Sequence, residues 1–492
     1  MQKKNNYICN LVIFGVKGDL SKKKLIPAIY QLEYSNMLHK ETRIIGVGRA
    51  NWNTENFLNM VKKTLDKFLD YKIDNNTWIK LSNRLIFCNL DITEISNFNK
   101  LKKILSKKNH LIIYYLAVPP NLFCSICQGL GILKLNHSLT RIIIEKPLGT
   151  SFKTSQQINN ELSKYFNENQ IFRIDHYLGK ETILNLLTLR FANSILFNNW
   201  NKTTIDHIQI TVSEQIGIEG RWEYFDKSGQ IRDMVQNHLL QILTIITMAP
   251  PINLETNNIR HEKIKILRAL RKVDLTNFKQ NVVLGQYTSG TINGKIVPSY
   301  IHESNTHKIS NTETFVAIKT YIDNHQWNGV PIYLRTGKRL PIKCSEIVIH
   351  FKKPTINLFE KQYNDQIFTN QLIIKLQPNE GIILKIINKV PNLNYEYVLK
   401  NVNLEFKYSN EFYNKRLPEA YERLLLASIQ GIQTLFVSRE EIEASWIWVD
   451  NIINTRDKIN QVPLKYQAGT WGSPDLFEKI IQKDGRKWHI SM

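Results

Sequence analysis

Nine residues, Arg173-Ile-Asp-His-Tyr-Leu-Gly-Lys-Glu181, set an acid, an imidazole, a phenol and three further charged side chains around one glycine. Such groups can grip an anion, His176 and Lys180 by charge and the Tyr177 hydroxyl by hydrogen bonding. With a helix starting near Tyr177, His176 and Lys180 fall four apart on one face and converge on a single guest, for which a sugar phosphate is suited. Asp175 is then left for another task, because a carboxylate beside such a site orients an imidazole and stabilises its cation. The imidazole available later in the chain is His238, in Arg232-Asp-Met-Val-Gln-Asn-His-Leu-Leu-Gln241. Set among Val235, Leu239 and Ile242 on an apolar helix, it reads by default as a core histidine.

Further residues of interest lie where five strands give way to turns. Gly15-Val-Lys-Gly18-Asp19-Leu20 follows an apolar strand and precedes a helix with Lys22, Lys23 and Lys24. Glycines there let the backbone approach a pyrophosphate, and the helix start supplies amide donors. After the second strand stands Arg49, either a partner for a 2′-phosphate, which favours NADP over NAD, or a surface residue. Asp91, beside Ile92 after the third strand, is either a helix cap or a neighbour of the adenine end of the cofactor. Pro119 and Pro120 stop the fourth strand. Glu145-Lys146-Pro147 closes the fifth, where Lys146 can reach both a nicotinamide and a substrate hydroxyl or simply face solvent.

The elements that must position these residues follow from pattern. Short apolar runs alternate with amphipathic stretches to about residue 175, which predicts a doubly wound α/β Rossmann domain over 1–175. Beyond a helix through Glu181–Ile195, alternating stretches such as 206–215, 312–323, 330–337, 346–353, 370–377 and 381–389 follow without intervening helices. They predict a larger α+β domain over 176–492 with an extended antiparallel sheet, closing on helix from Ala420.

Composition narrows the class. Sixty-five Lys and Arg against 43 Asp and Glu leave +22, enough to consider nucleic acid, but the lysines are spread without a basic tract or a nucleic-acid module. Drift toward Lys, Asn and Ile explains the charge, and no nucleic-acid partner is expected. Five cysteines in 492 residues point to a reducing compartment, and cytoplasmic location is expected. Cys124-Ser-Ile-Cys127 has redox spacing but no second pair, so it reads as buried thiols on a helix, and no metal is expected. The longest apolar run near the start, 111–118, is too short to span a membrane.

In order along the chain, GxxGDLxxKK, EKPLG, RIDHYLGKE, EGRxxYFDxxGxIRDxxQNHLLQ and LRTGKRL resemble the glucose-6-phosphate dehydrogenase family, the likeness running from residue 12 to 472. The resemblance implies oxidation of D-glucose 6-phosphate at C1 to 6-phospho-D-glucono-1,5-lactone with hydride transfer to NADP, in a homodimer or dimer of dimers. It makes His238 the general base and Asp175 its partner, and gives the phosphate to His176, Tyr177 and Lys180. Glu214 and Asp233 fall at sugar-hydroxyl positions, Lys338 and Lys343 at later substrate positions, and Lys146 between cofactor and sugar. Gly15, Gly18, Asp19, Leu20, Lys24, Arg49, Asp91 and Ile92 fall on the cofactor side. Val16-Lys17 departs from the small pair expected between the glycines, so Lys17 either adds charge near the phosphates or faces solvent. Ser473 stands where proline is expected. The Glu-Lys-Pro turn also resembles sugar and inositol dehydrogenases, and a non-enzymatic NADP sensor or nucleic-acid binder is the third reading.

Overall fold

The computed structural model describes residues 7–105, 110–303, 309–356, 358–359, 369–393, 397–413, 415–473 and 477–490. Two compact units form, Met1–Glu181 with Pro251–Arg260 and Leu417–Glu443, and Thr182–Pro250 with His261–Arg416 and Ala444–Met492. The chain thus returns twice to the first unit, which a single cut at residue 175 does not describe.

In the first unit β1 (Cys9–Phe14), β2 (Arg43–Gly48), β3 (Leu85–Asn89), β4 (Leu111–Leu116), β5 (Thr140–Ile144) and β6 (Ile171–Ile174) pair in parallel in the order β6-β5-β4-β1-β2-β3. Helices cover both faces of such a sheet, so its strands are continuous apolar runs, and every residue of β1 is buried. The helices are started by polar caps: the Asn53 side chain accepts from the Asn56 N–H at 2.9 Å, and Ser151 and Thr154 cap each other reciprocally. Val12, Phe14, Ile45, Tyr114, Phe123 and Ile142 centre the core. One late segment adds β17 (Phe436–Val437), antiparallel to β6. The helix expected from Ala420 onward therefore stops at Gln430, and Gly431 turns the chain into that strand.

The second unit is built on a nine-stranded sheet. Its strands are β7 (Ile205–Ser213), β8 (Val282–Thr288), β11 (Phe315–Thr320), β12 (Ile332–Gly337), β13 (Cys344–Phe351), β14 (Gln371–Gln377), β15 (Gly381–Lys389), β16 (Leu399–Lys407) and β18 (Leu464–Gln467). They lie in the order β16-β15-β14-β13-β7-β12-β11-β8-β18, and a hairpin of β9 (Gly290–Ile292) and β10 (Lys295–Val297) stands beside them. The sheet is mixed rather than purely antiparallel, because β12 runs parallel to β7 and β18 parallel to β8. The long crossover that a parallel pair demands carries two helical runs between Trp222 and Thr247, broken at Gly229 with φ +65°, and the second of them holds Asp233 and His238.

That run is pinned by a buried ion pair. Glu313, 1% exposed, meets the Arg456 guanidinium at 2.8 Å. Its side chain also accepts from the Ile231 N–H at 3.2 Å, and its backbone carbonyl accepts from the Gln230 N–H at 3.0 Å. Arg456 also meets Asp457 at 2.8 Å, but losing the Glu313 charge takes away its buried counter-ion. Glu313→Gln should therefore destabilise the second unit by about 3 kcal/mol, read by urea unfolding followed through tryptophan fluorescence. A loss well under 1 kcal/mol would show that the pair does not hold this run.

Candidate active site

Strand order reverses between β4 and β1, and the carboxyl edge at such a reversal is where ligands bind in open α/β sheets. Gly15 leaves β1 there with φ +79°, and an added Cβ would come within 2.4 Å of the Ala117 carbonyl oxygen after β4. Only glycine keeps this turn against that strand, and the same close approach suits a dinucleotide pyrophosphate. Ser21 opens the helical run to Tyr34 and donates to the Gly15 carbonyl at 3.0 Å. Asp19 pairs with Lys23 at 3.1 Å and Lys24 with Glu419 at 3.0 Å, all exposed, while Leu20 is half-buried.

At the ends of the next two strands Arg49 is exposed and Asp91 half-buried. The Asp91 carboxylate accepts from the Thr93 N–H at 3.0 Å and its hydroxyl at 2.7 Å, and these bonds, helped by Arg49, hold it below the usual carboxylate range. Half of Asp91 is thus committed to a turn, with Ile92 beside it. Lys17 is exposed, and its ammonium lies 4.5 Å from the centroid of the Trp52 ring at this same edge.

The nine-residue segment resolves into several jobs. Arg173 is fully buried, bidentate to Glu168 at 2.6 and 2.9 Å and bonded to Asn159 at 3.1 Å, so it is structural. Asp175 caps the turn by accepting from the Tyr177 N–H at 3.0 Å. His176–Gly179 is a 3-10 turn, and the following helix begins only at Glu181. His176 and Lys180 therefore do not share the α-helical face that their spacing predicts. Lys180 instead lies over the Tyr177 ring at 4.1 Å, which holds its ammonium beside the turn. The glycine is explained by packing: a Cβ on Gly179 would sit 2.8 Å from the Ala420 carbonyl oxygen, and Arg423 donates to the Gly179 carbonyl at 2.6 Å. The helix Ala420–Gln430 closes onto the turn there and brings the Tyr421 ring parallel to His176, 10° between planes and 6.5 Å between centroids.

Beside this turn, at the end of β5, the partly buried Glu145 accepts from the Tyr115 hydroxyl at 2.5 Å. Burial drives its carboxyl up to about 7, against hydrogen bonds from Tyr115 and Tyr421 and the charge of Lys146. Residue type alone assigns Glu145 no task within the Glu-Lys-Pro motif, and Tyr115 and Tyr421 stand outside the motifs. An acid directly after the apolar Ile142-Ile-Ile144 is the signal available.

The second unit gathers its own polar cluster. Lys338, 1% exposed, lies 2.7 Å from Glu214 and 3.8 Å from Asp233. Its N–H donates to the Thr314 carbonyl at 2.9 Å and its carbonyl accepts from the Tyr466 hydroxyl at 2.6 Å, which fixes the start of its side chain. One ammonium thus faces two carboxylates, and acidic acceptors of this kind suit the hydroxyls of a neutral polyol. Lys343 is exposed, and among the described residues no ion pair joins it to this cluster.

His238, 1% exposed, lies on Ile231–Leu239, where the helix widens into π form. Residues five apart then stack, so Asp233 and His238 share a face, whereas an α-helix would set them roughly 140° apart. Cys127 is buried as expected but Cys124 is exposed, because only the former lies on the inner face of helix Phe123–Ile132. No helix among the described residues is long and apolar enough to cross a membrane.

Comparison with known proteins agrees over the whole chain. The family model described as glucose-6-phosphate dehydrogenase, NAD binding domain, matches residues 12–185, and that for the C-terminal domain matches 187–489. Glucose-6-phosphate 1-dehydrogenase of Dickeya dadantii is 53% identical over 98% of each chain. That of Buchnera aphidicola subsp. Baizongia pistaciae is 56% identical over 99% of this chain and 100% of its own. A solved glucose-6-phosphate dehydrogenase in complex with its substrate glucose-6-phosphate superposes over 100% of both chains with TM-score 0.89 at 33% identity. A Mycobacterium avium structure gives 0.85 at 30% identity over 99% of both. By two family models and by full-length identity, the chain belongs to the glucose-6-phosphate dehydrogenase family.

Proposed function

We propose that the chain oxidises D-glucose 6-phosphate at C1 to 6-phospho-D-glucono-1,5-lactone with hydride transfer to NADP, the first step of the oxidative pentose phosphate pathway. The observation that carries this reading is the contrast of charge between two clusters. The turn of the first unit offers His176, Tyr177 and Lys180, suited to a phosphate, and the second unit offers Glu214 and Asp233 around one buried lysine, suited to sugar hydroxyls.

In this reading Gly15, Gly18, Asp19, Leu20 and Lys24 hold the pyrophosphate side of the cofactor, Arg49 its 2′-phosphate, and Asp91 with Ile92 its adenine end. NADP, when bound, supplies the hydride acceptor. His238 takes the C1 hydroxyl proton, and Asp175 orients its imidazole and stabilises the cation that forms. Lys146 steadies the sugar beside the cofactor, while Lys338 and Lys343 complete the substrate side. We propose likewise a cytoplasmic homodimer or dimer of dimers formed through the larger sheet. The exposed Val402 and Leu404 on its edge strand β16 support that assembly.

NADPH formation followed at 340 nm over a panel of sugar phosphates tests the reading directly. His238→Asn should lower kcat about 10²- to 10⁴-fold with little change in KM, because the base is lost and the phosphate grip is kept. Near-normal turnover in the folded variant would remove His238 from the chemistry. Arg49→Ala should weaken NADP binding by about 1–3 kcal/mol and NAD much less. Equal loss for both would assign Arg49 to the fold. Lys180→Ala should raise KM for glucose 6-phosphate roughly 10- to 1,000-fold and leave the poor use of free glucose unchanged, whereas Asp175→Asn should lower kcat for both sugars. If Lys180→Ala slowed free glucose as severely, the phosphate clamp would be wrong.

A further inference from the structure

Three donors converge on the Glu145 carboxylate within the first unit. The Tyr115 hydroxyl reaches it from β4 at 2.5 Å, the Tyr421 hydroxyl from helix Ala420–Gln430, and the backbone N–H of Lys146 from the next residue. Tyr115 is fully buried and Tyr421 is 9% exposed, so neither phenol has water as a ready substitute. An ionised carboxylate is an acceptor only and can serve all three donors. Once protonated it becomes a donor itself, and one phenol must accept from it and find another acceptor for its own O–H. The phenols then have to rearrange, and the Tyr421 ring is the one that lies parallel to His176, 6.5 Å between centroids.

We infer that Glu145 is a positioning residue: its carboxylate fixes the backbone of Lys146 and the ring of Tyr421, and through that ring the seat of the phosphate-binding His176. The inference rests on the proposed use of His176 and Lys146 toward glucose 6-phosphate. The groups facing Glu145 are Tyr115 from β4, Tyr421 from the helix and Lys146 next to it after β5, and the charge of Asp175 also raises the Tyr421 phenol, after burial and Glu145. Asp175 is thus the alternative acceptor for Tyr421 when Glu145 gives up its charge. That exchange would draw Tyr421 from beneath His176 and load the carboxylate assigned to His238.

The two protonation states are both reachable near neutral pH, because burial drives the Glu145 carboxyl up to about 7. The ionised form is the binding-competent one, so affinity for glucose 6-phosphate should be full above that value and fall as pH drops through it. Removing a donor to the ionised form disfavours it and moves the transition to higher pH.

The test uses the full chain and two readouts: calorimetric binding of glucose 6-phosphate without cofactor, and kcat and KM from pH 6 to 9. Glu145→Gln should weaken binding about tenfold at pH 8, flatten its pH dependence around 7, and raise KM more than it lowers kcat. Glu145→Asp should recover part of the affinity. Tyr115→Phe, which leaves the carboxylate in place, should shift the midpoint of the binding profile upward by about one pH unit. This variant decides the matter if Glu145→Gln does not fold. Binding profiles of Tyr115→Phe and of a folded Glu145→Gln that overlay the wild type would overturn the inference. If the wild type neither binds nor oxidises glucose 6-phosphate, it is the functional reading that fails.

Discussion

A charge removed from water has to meet an opposite charge or a full set of hydrogen bonds, and that constraint organises both units of this chain. Arg173 is held by Glu168 and Asn159, Glu313 by Arg456, Lys338 by Glu214 and Asp233, and Glu145 by two phenols and an amide. The first two of these groups are satisfied by residues with no further task and hold the fold. The last two lie beside residues suited to a ligand. One lysine faces two carboxylates, and a carboxyl raised to about 7 leaves its ionisation undecided at neutral pH.

The same constraint explains how local irregularities serve the site. Glu313 grips the backbone at Gln230 and Ile231, where the helical run widens. The widening brings Asp233, in contact with Lys338, onto the face that carries His238. An ordinary α-helix through the same residues would turn one of them away. In the first unit the 3-10 turn at His176–Gly179 plays the comparable part: its tight winding lets Asp175 cap the turn while Lys180 folds back over Tyr177.

Much of the fold was legible because its signals are local. Continuous apolar runs separated by amphipathic stretches specify a parallel sheet covered on both faces, and β1 to β6 appear where those runs stand. The alternating stretches gave β7 and β11 to β15. By contrast β16 is largely polar and exposed, β8 is buried on most of its residues and so shows no alternation, and β18 has only four residues. The parallel pairing of β12 with β7 and the return of Phe436–Val437 to β6 depend on contacts far apart in the chain, which no local pattern encodes.

For the site, the sequence by itself determined which chemistry was present: the glycine turn after β1, the acid, imidazole and lysine within one short segment, and the motif order that matches one family. Residue type and spacing suffice for that, because they fix what a side chain can donate, accept or ionise. Only the tertiary structure decided how those capacities are spent. It made Arg173 a buried strut, gave Gly179 its reason in the helix that closes over it, left Lys343 exposed and set Glu145 beneath Tyr421. Those outcomes turn on burial and on partners distant in the chain, and burial is what converts an ordinary carboxyl or ammonium into one that must be met.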